Sequence, residues 1–438
     1  MTIEQLYTIY QQYPSVVTDS RKVQSGDLFF ALKGPNFNGN LYAEQAIKDG
    51  AAYAVIDEDI APSNDKCILV PDVLECLQQL AFHHRSQFDI PFIAITGSNG
   101  KTTTKELVHA VLSTKYKTYT TKGNLNNHIG IPLTLLSIQK DAEIAVIEMG
   151  ANHLGEIASY CTYTDPTIGI ITNCGKAHLE GFGSEQGVRK GKGELFDYLR
   201  AHQGTSFAFA DYPYFASMTS GIAHQYWYSA DLTCQILGLN AVGSIQKSDP
   251  FLEISLQPNA SSDKAVLNIH SRLVGAYNLP NLLCAISLGR YFKIPETLIQ
   301  AGIEGYTPSN SRSQLIEKGR NKIILDAYNA NPSSMQAAIQ NFSRMQAASK
   351  VLILGGMKEL GEQSKLEHQK LVQFIKSLGG WKQVLLIGPE FEQVAEGYSW
   401  FKDSAAAKDY LSKAAFTEVL MLIKGSRSNA LEALLEVL

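Results

Sequence analysis

A glycine turn lies between an apolar run and a helix-forming segment, and few folds accommodate that order. Phe92-Ile93-Ala94-Ile95 reads as a buried strand, T-G-S-N-G-K-T-T (96–103) follows it, and Lys105 to Leu112 carries helical periodicity. A strand that turns through glycines into a helix belongs to an α/β sheet, with the turn at the sheet's carboxyl edge. Gly97 and Gly100 let backbone N–H groups come close to an anion, and the helix N-terminus adds partial positive charge. Lys101 is placed to reach terminal phosphates and the Thr102 hydroxyl to meet Mg2+. Gly97, Asn99, Gly100, Lys101, Thr102 and Thr103 are therefore expected to cradle the phosphates of ATP or GTP. The loop is a shortened variant, because Ile95 stands where the common G-x-x-x-x-G-K-[ST] spacing has its first glycine. That departure argues against an ordinary GTPase or kinase loop.

The chain has 438 residues, room for about three domains. Residues 1–84 alternate short strands and helices (Leu28–Leu32, Tyr42–Lys48, Ala54–Ile56, Ile68–Val70, then a helix through Phe82) and read as a small α/β domain. The polar stretch His83–Gln87 reads as a linker. Residues 85–307 read as a P-loop, ATPase-like parallel sheet, with the near-continuous apolar runs Ile144–Glu148 and Ile168–Thr172 as buried strands. Alternating patches between about 205 and 274 suggest an antiparallel β insert. Residues 308–438 repeat strand and helix in a Rossmann-like order, and each of the runs 351–354, 384–387 and 419–423 leads into a glycine-bearing loop.

A net charge of −4 gives no footprint for nucleic acid. No apolar run approaches the roughly 20 residues of a membrane span, and Met1-Thr2-Ile3-Glu4-Gln5 lacks a basic region followed by an apolar one, so no signal peptide is expected. The six cysteines form no C-x-x-C pair, so zinc is unsupported and reduced thiols in a cytoplasmic protein are expected.

Several side chains stand where chemistry is expected. Glu148 ends an apolar strand, where a Mg2+ contact opposite the phosphate loop belongs; otherwise it is a surface loop acid. His178 follows another strand and could bind a divalent ion or phosphate, although a single loop histidine is usually unremarkable. Arg189-Lys190-Gly191-Lys192-Gly193-Glu194 reads first as a solvated basic run. Alternatively one lysine faces the metal site, which requires its charge to be inverted, as carbamylation by CO2 would do. Asn278 and Asn281 lie three apart at a helix start and suit adenine edges or a helix cap. Asp326, Asn329 and Asn331 follow one strand of the last region, and Lys424, Ser426 and Arg427 another. Both sets are candidates for ribose, phosphate or substrate contact, or are simply polar loops.

Together these segments resemble the Mur ligase family, ATP-dependent amide-forming enzymes of peptidoglycan precursor synthesis, from about residue 16 to 430. The matching pieces are T-D-S-R (18–21), G-D-L-F-F-A-L-x-G (26–34), T-G-S-N-G-K-T-T (96–103) and G-N-L-N-N-x-I-G-x-P (123–132). To these add E-M-G-A-N-H-x-G-E-I (148–157), A-H-L-E-G-F-G-S (177–184), K-G-E (192–194), Y-N-A-N-P-x-S-M (328–335), G-G-M-x-E-L-G (355–361) and K-G-S-R (424–427). The resemblance implies a UDP-binding first domain, an ATP-binding central domain and a last domain that takes the incoming amine. Within the family, E-M-G-A-N-H and N-A-N-P resemble the member that adds D-alanyl-D-alanine to UDP-N-acetylmuramoyl-tripeptide, and the Asp-Asn-Pro-Arg signature of a sibling is absent. Carried over by position, Ser20 and Arg21 fall in the uridine-reading segment and Lys101 binds phosphates. Thr102 and Glu148 hold one Mg2+, and His178 and a carbamylated Lys192 hold a second. Asn281, Arg312 and Asp326 match nucleotide contacts, and Asn329 and Asn331 fall in a substrate-binding segment. The implied partners are the two substrates, with no nucleic acid, no membrane span and a monomeric chain. The alternatives are another family member, such as a tripeptide synthetase or a folylpolyglutamate synthase, or a non-catalytic nucleotide-binding scaffold. Three positions depart from the family pattern: Tyr277 for a common His, Asn38-Gly39-Asn40 for D-G-H, and Gly191 for Ala.

Overall fold

The structure is a computed structural model that describes residues 1–59, 64–258, 266–309, 311–414 and 416–438. Three successive sheets account for the α/β class expected above. The first has four parallel strands in the order Val16–Val17, Leu28–Phe30, Tyr53–Ile56, Cys67–Leu69. Its middle strands are apolar on both faces, as a parallel sheet between helices requires.

The central sheet has nine strands. Phe92–Thr96 lies between Ile144–Glu148 and Ile168–Ile171, all pairing parallel and fully buried. The expected antiparallel insert is corrected in part. Thr205–Phe209, His224–Ser229 and Leu239–Lys247 continue the parallel sheet, and only the two pairings of Glu253–Leu256, with Leu239–Lys247 and with Leu267–His270, are antiparallel. The alternating patches at 252–256 and 266–270 fall on the pair of Glu253–Leu256 with Leu267–His270, whose outer strand has one wet face. Residues 259–265 of that expected insert lie outside the described residues.

The last sheet has the strand order Gln314–Lys318, Asn321–Asp326, Leu420–Lys424, Lys350–Gly355, Gln383–Ile387, Ser399–Phe401. Only the first pair is antiparallel, a hairpin turning through Gly319 at φ 60°. The carboxyl ends of this sheet and of the central one open onto a shared cleft, where ligands sit in folds of this kind.

His83–Gln87 is not a linker. The helix Val73–Arg85 takes in its first three residues, and His84 and Arg85 are buried. The His84 ring lies 3.1 Å from the Tyr7 hydroxyl and 2.8 Å from the Ile138 carbonyl. Arg85 donates to the carbonyls of Thr164 (2.9 Å), Asp165 (2.9 Å) and Phe88 (3.0 Å), and its guanidinium stacks 3.8 Å from the Phe92 ring centre. Polar residues here satisfy carbonyls at the seam between the first and central domains, so polarity did not mark exposure. Replacing Arg85 with Ala strands three carbonyls. We expect it to destabilise the protein by about 3 kcal/mol, read as a lower urea midpoint.

Candidate active site

The phosphate loop is shaped from the strand beside it. Ser98 and Asn99 donate their N–H groups to the Asn173 carbonyl (2.9 Å) and Asn173 Oδ1 (3.0 Å), while the Thr172 hydroxyl donates to the Asn99 carbonyl at 2.6 Å. Gly97 has φ 144°, and a methyl there would collide with the Thr172 hydroxyl. Gly100 has φ 80° and faces Asn281, with room for no side chain. The helix Lys101–Leu112 then starts without a side-chain cap, so its first N–H groups remain available to an anion. Lys101 Nζ bends back to donate to the Gly97 carbonyl at 2.6 Å. Desolvation of its ammonium lowers its pKa, opposed by the nearby Glu148.

Across the loop, Glu148 is buried at the tip of its strand. Its Oε1 accepts a hydrogen bond from Asn126 Nδ2 at 2.7 Å, whereas its Oε2 is buried with no partner among the described residues. An orphaned carboxylate oxygen beside a phosphate cradle fits a divalent cation. His178 adopts φ 52° as it opens the short helix Leu179–Phe182. Its Nδ1 lies 2.6 Å from Glu359 Oε2, an ion-pair distance without the alignment of a straight hydrogen bond. The ring holds the Glu359 carboxyl below its usual range.

Lys192 is the largest departure from the solvated-run reading. It is 0 % exposed, donates to the Ala151 carbonyl at 2.8 Å and lies 4.9 Å from the Phe182 ring centre. Burial first, then the Lys101 charge, lowers its pKa to about 7. Gly191 makes room for that ring, since a methyl there would sit 2.5 Å from Phe182 Cε1. Among the described residues no three His, Cys, Asp or Glu side chains cluster as a metal cage. A cation here would therefore rely on Thr102, Glu148, His178 and Lys192 together with ligand phosphates, the manner in which Mg2+ is usually held.

The cavity between the two sheet edges measures about 750 Å3 and includes Lys101, Glu148, His178, Arg312, Asp326 and Lys424 in its wall. Asn281 also lines it, but its amide is committed: Oδ1 accepts from the Thr104 hydroxyl (3.1 Å) and Nδ2 donates to Asn278 Oδ1 (2.9 Å). Asp326 pairs with Lys424 at 2.5 Å, and its Oδ1 takes the Ser313 N–H at 3.2 Å. Tyr277 meets the Ser313 hydroxyl at 2.9 Å, so the departure from His keeps a polar contact with the last domain. Arg312 stacks 3.7 Å from the Tyr328 ring centre. Asn331 caps the helix Pro332–Arg344 and donates to Asn99 Oδ1 of the phosphate loop at 2.7 Å. Asn329 lines the cavity; its Oδ1 accepts from the Ala330 N–H at 2.8 Å. Arg427 stands in a smaller adjoining pocket, whereas Ser426 receives the Lys358 N–H outside both. Ser20 and Arg21 are in the first domain, away from this cavity. Arg21 is exposed and holds the Asp19 carboxyl down to about 2. The sequence reading missed Tyr214 and the free guanidinium of Arg189, both in the cavity wall.

Comparison with known proteins fits this geometry. The Mur ligase family catalytic domain matches residues 12–85, the Mur ligase middle domain 95–289, and the Mur ligase glutamate ligase domain 311–427. The UDP-N-acetylmuramoyl-tripeptide--D-alanyl-D-alanine ligase of Escherichia coli (strain K12) is 34% identical over 97% of this chain and 93% of its own. The chain belongs to the Mur ligase family. Among solved structures, the UDP-N-acetylmuramoylalanyl-D-glutamyl-2,6-diaminopimelate--D-alanyl-D-alanyl ligase from Acinetobacter baumannii superposes with a TM-score of 0.84 at 27% identity, covering 99% of this chain and 97% of that one. The MurF ligase from Thermotoga maritima in complex with ADP gives 0.81 at 27% identity, covering 97% and 96%.

The buried Lys192 sets a sign for stability against pH. The folded chain binds its proton only below about pH 7, while an unfolded lysine keeps it to 10.5, so between these values the unfolded state holds more protons and wild-type stability rises with pH. In CO2-free buffer the wild type should gain about 2–3 kcal/mol relative to Lys192→Met between pH 7 and pH 9, measured by urea unfolding at each pH.

Proposed function

We propose that this chain is an ATP-dependent, ADP-forming ligase that joins D-alanyl-D-alanine to UDP-N-acetylmuramoyl-tripeptide. The observation that carries the reading is the meeting, in one cavity, of an uncapped helix N-terminus, the orphaned Glu148 carboxylate and His178. Names of relatives across nearly the whole chain support it.

ATP phosphorylates the terminal carboxylate of the UDP-linked peptide, and the dipeptide amine then displaces phosphate from that acyl phosphate. Bringing two anions together is the difficulty, and Lys101 with the first-turn N–H groups lowers that repulsion. Thr102 and Glu148 would hold one Mg2+, and His178 with Lys192 a second; when bound, such ions neutralise phosphate charge. Lys192 suits carbamylation: its neutral amine adds to the carbon of CO2 and loses a proton, and burial favours that neutral form. Asn281, Arg312 and Asp326 take the nucleotide, Asn329 and Asn331 the peptide end, and Ser20 and Arg21 the uridine. On this reading residues 1–84 hold the UDP end, 85–307 the ATP, and 308–438 the incoming amine. The Asn99–Asn331 bond and the His178–Glu359 pair draw the last domain over the phosphate loop, which keeps water from the acyl phosphate. The chain acts as a cytoplasmic monomer, and no described helix is long and apolar enough to cross a membrane.

Purified protein should release phosphate only when ATP, a UDP-linked tripeptide and D-alanyl-D-alanine are all present, with mass spectrometry showing the pentapeptide product. Turnover of ATP without either peptide would instead favour a nucleotide-binding scaffold. Lys101→Ala should lower kcat at least 100-fold. Lys192→Ala should lose most activity without rescue by bicarbonate, and near-normal turnover in that variant would end the carbamate assignment.

A further inference from the structure

Arg189 is a cation of the cavity wall to which the mechanism gives no task. It lies on the helix Glu185–Ala201, three residues before Lys192, so both side chains leave the same face. Its Nε is buried without a hydrogen-bond partner, and among the described residues no carboxylate pairs with its guanidinium. Glu185, which shares the wall, instead faces Lys176 at 3.9 Å.

What does hold Arg189 is aromatic. Its guanidinium lies 4.9 Å from the ring centre of Tyr214. That ring is fixed in turn, since its hydroxyl accepts the Cys174 N–H at 3.1 Å and it stacks on Tyr212 at 5.5 Å. Resting against a ring positions a guanidinium while leaving its N–H fork free for a planar anion. The other cations of this wall differ. Lys101 is turned onto its own loop and Lys424 is paired with Asp326. Arg312, also laid on a tyrosine, comes from the last domain and is assigned to the nucleotide.

We propose that Arg189 binds a carboxylate of the UDP-linked peptide that does not react, and so sets peptide specificity; this rests on the ligase reading above. A peptide ending in D-glutamyl-2,6-diaminopimelate, as printed in the name of the Acinetobacter enzyme, carries two such groups: one on the glutamyl residue and one on the diaminopimelate. Each matches the bidentate geometry of a guanidinium. The placement one helical turn from Lys192 puts the second carboxylate beside the reacting one, where binding orients the reacting oxygen.

The test is steady-state kinetics of wild type, Arg189→Met and Arg189→Lys with three UDP-linked peptides. These end in diaminopimelate, in lysine, and in diaminopimelate with the glutamyl carboxylate amidated. Arg189→Met keeps the stem that covers Tyr214. With the first peptide it should raise KM for the peptide 10–100-fold, with KM for ATP within twofold of wild type. Arg189→Lys should recover part of the loss. A penalty that disappears with the lysine peptide assigns the guanidinium to the diaminopimelate carboxylate; one that disappears with the amidated peptide assigns it to the glutamyl carboxylate. A rise in KM for ATP instead, or unchanged KM for all three peptides, overturns the proposal. An equal penalty with all three peptides overturns it too. Unaltered ADP affinity of the variants, measured by calorimetry, separates a local effect from misfolding. If the wild type converts none of the peptides, the ligase reading itself fails, an outcome distinct from the variant's failure.

Discussion

The hydrogen bonds between the phosphate loop and the end of the adjacent strand are what the site depends on. Thr172 and Asn173 satisfy the loop's own polar groups from one side, through the Asn99 carbonyl and the Ser98 and Asn99 N–H groups. The loop is thereby rigid before any ligand arrives, and the unpaired N–H groups of the next helical turn remain directed at the cavity. Pre-oriented donors need little reorganisation when negative charge moves past them, which is where such sites gain their effect. Gly97 and Gly100 are required because any side chain would strike Thr172 or Asn281.

The neighbouring domains are attached to this centre in two different ways. The first is anchored through a buried seam in which His84 and Arg85 saturate carbonyls of the central domain, and little freedom remains there. The last meets the centre through polar contacts at the cavity rim: Asn331 to Asn99, the Lys176 N–H to the Ser333 hydroxyl, His178 to Glu359. Polar rim contacts exchange readily with water, so this second junction suits a domain that must admit three substrates and then exclude solvent.

Much of this was legible in the chain itself. Near-continuous apolar runs located the central strands because a parallel sheet buried on both faces leaves no polar alternation to confuse the pattern. The glycine turn fixed where the helix starts. The linker reading of His83–Gln87 and the solvated-run alternative for Lys192 share one physical cause: local polarity stands in for exposure. Lys192 sits in a run of charges but is fully buried, and the His84-Arg85 pair reads as a linker but closes a domain seam. A buried charge is betrayed only by partners that are distant in sequence, here Ala151 for Lys192 and Thr164 for Arg85. The same holds for Glu359, whose approach to His178 crosses 181 residues of chain (359 − 178 = 181) and leaves no local trace.

Buried Lys105 also explains how Glu148 is held ready at the cavity although no metal cage of His, Cys, Asp or Glu is found among the described residues. Lys105, 0 % exposed, donates from the phosphate-loop helix to the Thr121 carbonyl at 2.6 Å and faces Glu106 at 2.7 Å. The Thr121 hydroxyl in turn receives the Glu148 N–H at 2.9 Å. The helix that presents Lys101 and Thr102 is thus tied through Thr121 to the strand tip that presents Glu148. The spacing between hydroxyl and carboxylate is then set by the fold and not by a bound ion. Substitutions of Lys105 would act by loosening that tie, since its own ammonium faces away from the cavity, towards Thr121 and Glu106. A site whose anionic ligands bring their own charge gains from this arrangement, in which the protein supplies position and unpaired donors.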